Sequence, residues 1–159
     1  MSLQGATNEA ERVKVANKDY MSVMGSILYA ACMTRPDIAY HASFLCQFMT
    51  NPSVEAYEAA LGVLSYLQRS KDMSIIYGKG VNPTARQLEM GFDPSTFEDN
   101  VGLHLYFDSS WNRAPMPFSG HMVMWAGGAI SWASRKLKLV PQSSAEAETA
   151  CGATACKLS

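Results

Sequence analysis

The chain reads as an α+β protein, and two changes of hydrophobic period carry that reading. Between Tyr20 and Leu67 apolar residues recur every three to four positions, the spacing of helices with one buried face. From Leu103 the period drops to two, the spacing of half-buried strands, and after Ser143 an Ala-rich helical pattern follows. The expected order is an N-terminal three-helix unit, then three antiparallel strands, then a helix. No internal repeat or low-complexity tract interrupts it.

Residues 1–19 are polar and mixed in charge, and read as a loose N-terminal lead. Tyr20, Val23, Met24, Ile27, Leu28 and Ala31 then form the stripe of a first helix that stops near Met33. A second starts at Thr34-Arg35-Pro36-Asp37, where Thr34 can cap, Pro36 suits the first turn and Asp37 favours the positive helix end. Its stripe is Ile38, Ala42, Leu45 and Met49. Asn51-Pro52 repeats the start signal, and Val54, Tyr57, Leu61, Leu64 and Leu67 give a third helix. Ser74 to Tyr77 is a short β-like run closed by Gly78, which bounds the helical segment at 20–78. Residues 79–100 mix Pro, Gly and acidic side chains without periodicity, as an acidic linker or a long excursion between strands.

In the last unit, 101–159, Leu103, Leu105 and Phe107 alternate with His104, Tyr106 and Asp108, so a half-buried strand ends on a carboxylate. Ser119 to Trp125 and Ala129 to Ser134 are two further strands around Ala126-Gly127-Gly128, a hairpin signal. Ser143 or Ser144 then caps a helix that opens with Ala145-Glu146-Ala147-Glu148 and runs to Ala155.

At 159 residues and 48% hydrophobic content the chain can bury a core. Its net charge of -1 lacks the basic balance that marks a nucleic-acid binder as a whole. Residues 101–159, however, hold five basic and three acidic side chains, with Arg135, Lys136 and Lys138 clustered. Cys32, Cys46, Cys151 and Cys156 show no CxxC spacing, and no secretory signal opens the chain, so reduced, mostly buried thiols in an intracellular protein are expected, in cytoplasm or nucleus alike. Gly25, Arg35 and Asp37 break the longest apolar stretch, so no membrane partner is expected.

Hydrolysis of a phosphodiester by two hard cations needs carboxylates converging from separate elements. Asp108 at a strand end and Glu146 or Glu148 in the first turns of a helix can supply them. The same residue types also serve as a turn former and as complements to the helix dipole, and from pattern alone both readings stand. Arg135, Lys136 and Lys138 are candidate phosphate contacts or a solvated turn. Trp111 and Trp132 suit the core or stacking on a base, and His104 and His121 suit partly buried structural roles.

The strings Gly128-Ala129-Ile130-Ser131-Trp132-Ala133-Ser134-Arg135-Lys136 and Ser143-Ser144-Ala145-Glu146-Ala147-Glu148 resemble the RNase H domain of Ty1/copia-type retrotransposon polyproteins. Gly25-Ser26-Ile27-Leu28-Tyr29, Thr34-Arg35-Pro36-Asp37-Ile38-Ala39-Tyr40 and Phe48-Met49-Thr50-Asn51-Pro52 resemble the segment joining polymerase to RNase H in the same polyproteins. The resemblance implies that residues 20–78 are a thumb- or connection-like end of a reverse transcriptase. It also implies that residues 101–159 are a partial RNase H-like fold lacking its C-terminal part.

The implied activity is metal-dependent endonucleolytic hydrolysis of the RNA strand of RNA–DNA hybrids during reverse transcription. Two Mg2+ or Mn2+ ions are implied, with no other cofactor. Asp108 matches the family's first-strand catalytic aspartate, and Glu148 fits the helix-borne metal ligand better than Glu146, the alternative ligand. Discrimination of RNA would rest on the ribose 2′-hydroxyl. No acidic residue follows Glu148 to fill the family's later metal-binding Asp, and the first strand is expected to present an open edge. The rest of the polyprotein or a second chain would cover that edge. The alternative reading is a catalytically incomplete remnant that binds nucleic acid or protein.

Overall fold

The computed structural model describes residues 4–6, 19–77, 103–110, 117–137 and 141–158. The expected linker at 79–100, Trp111 and Lys138 lie outside them. Among the described residues the protein is α+β, with four α-helices and a three-stranded antiparallel sheet. The helices are α1 (Tyr20–Met33), α2 (Ala39–Cys46), α3 (Val54–Arg69) and α4 (Ser144–Leu158), and a 3-10 turn, Pro36–Ile38, leads into α2.

Helix α1 starts where Asp19 accepts a hydrogen bond from the Ser22 amide, and it buries Tyr20, Met24, Ile27 and Ala31, one residue per turn. The Tyr20 hydroxyl donates to the Leu45 carbonyl at 2.9 Å. Burial, reinforced by nearby Cys46, pushes its pKa up to about 12. The second helical stripe is shorter than expected, because α2 ends at Cys46 and Met49 packs only partly. Helix α3 is capped by Ser53, whose hydroxyl accepts from the Ala56 amide at 3.1 Å. Its buried line is Ala56, Ala60 and Val63, whereas Leu61 is 41% exposed. The most buried line is thus of small side chains, beside Tyr57, Leu64 and Leu67 of the expected stripe, which pack partly against the same core.

A buried arginine ties the ends of these helices together. Arg35 donates from Nε and Nη2 to the Asp37 carboxylate at 3.0 and 2.7 Å, and from its two Nη groups to the Ser70 carbonyl and hydroxyl. Tyr66 donates to the same carboxylate at 2.8 Å, and its ring lies 5.5 Å under the Arg35 guanidinium. Part of the stretch expected to be a loose lead is also docked. Ala6 is buried, and it exchanges hydrogen bonds with Asn51, the Ala6 amide donating to the Asn51 carbonyl and Asn51 Nδ2 to the Ala6 carbonyl.

The sheet comprises β1 (Leu103–Ser109), β2 (Phe118–Trp125) and β3 (Gly128–Lys136), in spatial order β1-β2-β3. Ala126 and Gly127 form the β2–β3 turn with φ of 49° and 80°, as a two-residue hairpin requires. The register slips between Val123 and Met124, which pair with Ser131 and Ala129, leaving Ile130 as the extra residue of a bulge. Residues 74–77 form no strand, but Tyr77 crosses the start of β3 and donates to the Ala129 carbonyl at 2.6 Å. A methyl group at Gly128 would overlap the Tyr77 ring, so only glycine fits there.

Strand alternation separates two faces. Tyr106, Asp108, Met122, Trp132 and Lys136 belong to one, toward the helical cluster. Trp132 Nε1 donates to the Ala31 carbonyl at 2.6 Å, Lys136 reaches Gln47, and Phe118 packs edge-on against Tyr40 at 5.3 Å. The opposite face carries Phe107, Ser109, Ser119 and Val123, and α4 covers it with the buried line Ala147, Cys151 and Ala155. No described helix is long and apolar enough to cross a membrane.

Candidate functional site

Helix α4 is fixed at its start by a reciprocal cap. The Ser143 hydroxyl accepts from the Glu146 amide at 3.2 Å, and the Glu146 carboxylate accepts from the Gln142 amide at 2.7 Å. Glu146 is therefore engaged in helix initiation. Glu148 is exposed and has no hydrogen bond or ion pair to any described residue.

Two contacts set the direction of α4 over β1. The Cys151 thiol donates to the Asp108 carbonyl at 3.1 Å, and Gly152 lies over the Phe107 ring, where a Cβ would come within 3.1 Å of ring carbons. Moving back along the helix therefore moves forward along the strand. Glu148 is one turn before Gly152 on the same side of α4, a rise of about 6 Å. Burial pushes the Cys151 thiol pKa up, which keeps it protonated and a donor.

Asp108 is exposed, and its Oδ1 accepts from the Ser109 amide at 2.8 Å. Its neighbour Ser109 turns toward α4 with a buried hydroxyl that has no hydrogen-bond partner among the described residues. Asp108, Ser109 and Glu148 thus stand on two elements, β1 and α4, that pack together. Their oxygens are the donor type that Mg2+ or Mn2+ prefers, so the residues fit such an ion in kind. Among the described residues, no group of three or more His, Cys, Asp or Glu side chains could hold a metal.

The basic candidates divide between locations. Arg135 and Lys136 are both exposed, but alternation points them to opposite faces of β3. Arg135, with burial as the larger cause, lowers the pKa of His121 on its own face, and Lys136 bonds to Gln47. Trp132 takes a structural role through its bond to Ala31. Of the cysteines, Cys151 is buried, whereas Cys32 and Cys156 are exposed, which corrects the expectation of mostly buried thiols.

Sequence reasoning missed a groove of about 540 Å3 between the sheet and the start of α2, lined by Pro36, Tyr40, Tyr106, Asp108, Phe118 and Trp132 among others. It joins segments 60 to 100 residues apart, and no local pattern signals such a meeting. The Cys151–Asp108 contact was equally hidden.

Over 142 residues the chain is 31% identical to the retrovirus-related Pol polyprotein from transposon TNT 1-94 of Nicotiana tabacum, covering 89% of this chain and 10% of that one. It is also 31% identical over 133 residues to a transposon Ty5-1 protein of Saccharomyces cerevisiae, covering 81% of this chain and 37% of the relative. A chain of more similar length, the secreted RxLR effector protein 161 of Plasmopara viticola, is 29% identical, with 83% of this chain and 82% of the effector covered. The chain thus spans a tenth to about a third of the first two relatives. No protein-family model matches it, and neither does any solved structure.

Proposed function

The chain belongs with the Ty1/copia-type retrotransposon Pol polyproteins, and from that premise we propose that residues 101–159 are the opening part of an RNase H domain. Residues 20–78 are then the end of the reverse transcriptase, a thumb- or connection-like segment. The reaction is metal-dependent hydrolysis of the RNA strand in RNA–DNA hybrids, with Asp108 and Glu148 as the carboxylates that hold Mg2+ or Mn2+. When bound, the ions would activate water and stabilise charge on the scissile phosphate.

The observation that supports this best is the seating of α4. The Cys151–Asp108 bond and the Gly152–Phe107 contact seat α4, the helix that carries Glu148, on the strand that bears Asp108, while Glu146 is occupied as a cap. Ser109 adds a hydroxyl with no partner among the described residues. What these residues do is to orient: the strand fixes the Asp108 backbone, the helix fixes Glu148, and the buried thiol locks one to the other.

The test is cleavage of a hybrid labelled on the RNA strand, with Mg2+ or Mn2+, by the chain and by Asp108→Asn and Glu148→Gln variants. Cutting of the RNA that both substitutions abolish is expected. A folded sample that leaves the RNA intact would reduce the nuclease to ancestry.

A second reading, a nucleic-acid- or protein-binding module, draws on the exposed apolar edge of β1. Leu103, Tyr106 and Phe107 are 63, 53 and 47% exposed, and β1 has one strand neighbour among the described residues. Covering such an edge with the rest of the polyprotein or with a second chain would remove that liability.

A further inference from the structure

The groove beside Asp108 has a chemistry that the nuclease reading does not use. Its described walls are apolar and aromatic, with Tyr40 and Tyr106 48 and 53% exposed and Phe118 and Trp132 beneath them. Asp108 is the one formally charged side chain among the described lining residues. His121 belongs to the lining through its strand position, but alternation turns its side chain to the opposite face with Arg135. Aromatic faces with a single carboxylate complement an organic cation, not a polyanion.

The same molecule contains a filled version of this arrangement. Arg35 makes a two-pronged bond to the Asp37 carboxylate while its guanidinium lies over the Tyr66 ring. The groove presents the tyrosines and the aspartate without the arginine. A guanidinium suits it better than an ammonium, because its plane stacks on rings and its fork matches a carboxylate. A volume of about 540 Å3 holds a side chain together with flanking backbone.

We propose that this groove docks an arginine side chain from a partner polypeptide, the guanidinium pairing with Asp108 against the rings of Tyr40 and Tyr106. The docking does not rest on cleavage by the chain; it uses the metal-free Asp108 carboxylate and so competes with metal at that residue.

The experiment is a titration of the isotope-labelled chain in metal-free buffer with the peptide acetyl-Ala-Arg-Ala-amide, followed through amide shifts in nuclear magnetic resonance spectra. The counterpart peptide carries citrulline, which keeps the shape and loses the charge. Shifts at Tyr40, Tyr106 and Asp108 are expected with the arginine peptide. Citrulline or Asp108→Asn should weaken binding about tenfold, and Tyr40→Ala about threefold. Asp108 is exposed and asparagine matches its shape, so that variant and the citrulline control stand even if Tyr40→Ala does not fold. Equal binding of the two peptides, unchanged binding by Asp108→Asn, or shifts confined to another surface would overturn the proposal. A single-stranded oligonucleotide that moves the same amides while the arginine peptide does not would also overturn it, in favour of a nucleic-acid groove.

Discussion

Replacing Glu146 and Glu148 one at a time should separate folding from chemistry within a single turn of helix. Glu146→Ala removes the acceptor for the Gln142 amide at 2.7 Å, and with it one half of the cap begun by Ser143. Loss of a cap and of a negative charge at the helix start costs about 1 kcal/mol. For a chain of this size that lowers Tm by roughly 2–4 °C. Glu148→Gln touches a side chain with no partner among the described residues, so stability should stay within about 0.5 kcal/mol of the original. Hybrid cleavage should show the reverse order: retained by Glu146→Ala below its melting range, abolished by Glu148→Gln. Thermal melts followed by circular dichroism, with cleavage of the labelled hybrid on the same samples, read both quantities. A Glu146→Ala variant that melts normally but cannot cut, beside a Glu148→Gln variant that cuts, would refute the assignment.

Arg35→Met should cost about 2–4 kcal/mol in urea denaturation, because it strands the Asp37 carboxylate and removes both bonds to Ser70; a loss under about 0.5 kcal/mol would contradict the clip. Hydrogen bonding from Arg35, with a smaller contribution from Tyr66, holds Asp37 below its ordinary 3.8 despite partial burial. Its contribution is therefore fully present above pH 3.8 and lost as pH falls through the folded-state value, and Asp37→Asn should flatten that part of a stability-against-pH series. Ala126→Gly should stabilise by about 0.5–1 kcal/mol, since Ala126 holds φ at 49° where a Cβ is strained; a neutral or negative change in urea midpoint would argue against the turn.

The parts of the fold written in period were legible. The stripe Tyr20, Met24, Ile27 and Ala31 is buried as its spacing implied, and the alternation around Leu103–Ser109 became a strand. What periodicity could not give was the most buried line of α3. A stripe is read from large apolar residues, yet that line is Ala56, Ala60 and Val63. The strand face was misjudged for a related reason. Alternation says which residues share a face but not whether anything covers it, and Leu103 and Phe107 stay exposed at an edge. At the candidate site, the choice between Glu146 and Glu148 rested on a family pattern in the sequence, and the bond of Glu146 to the Gln142 amide was not legible there.

Placement on opposite faces also constrains what can engage both carboxylates. Asp108 points with Tyr106 toward the groove, and Glu148 rides on the helix that covers the other face. A ligand lying flat on either face meets one of them. On the reading in which both hold one metal, their oxygens must meet around the end of β1, where the Ser109 hydroxyl has no partner among the described residues. On that reading, engagement of the carboxylates and coverage of the β1 edge are coupled. A strand laid along that edge must stop short of Ser109 or bring oxygens of its own, and a segment running past it on apolar side chains alone would bury Asp108 unpaired, at a cost of several kcal/mol.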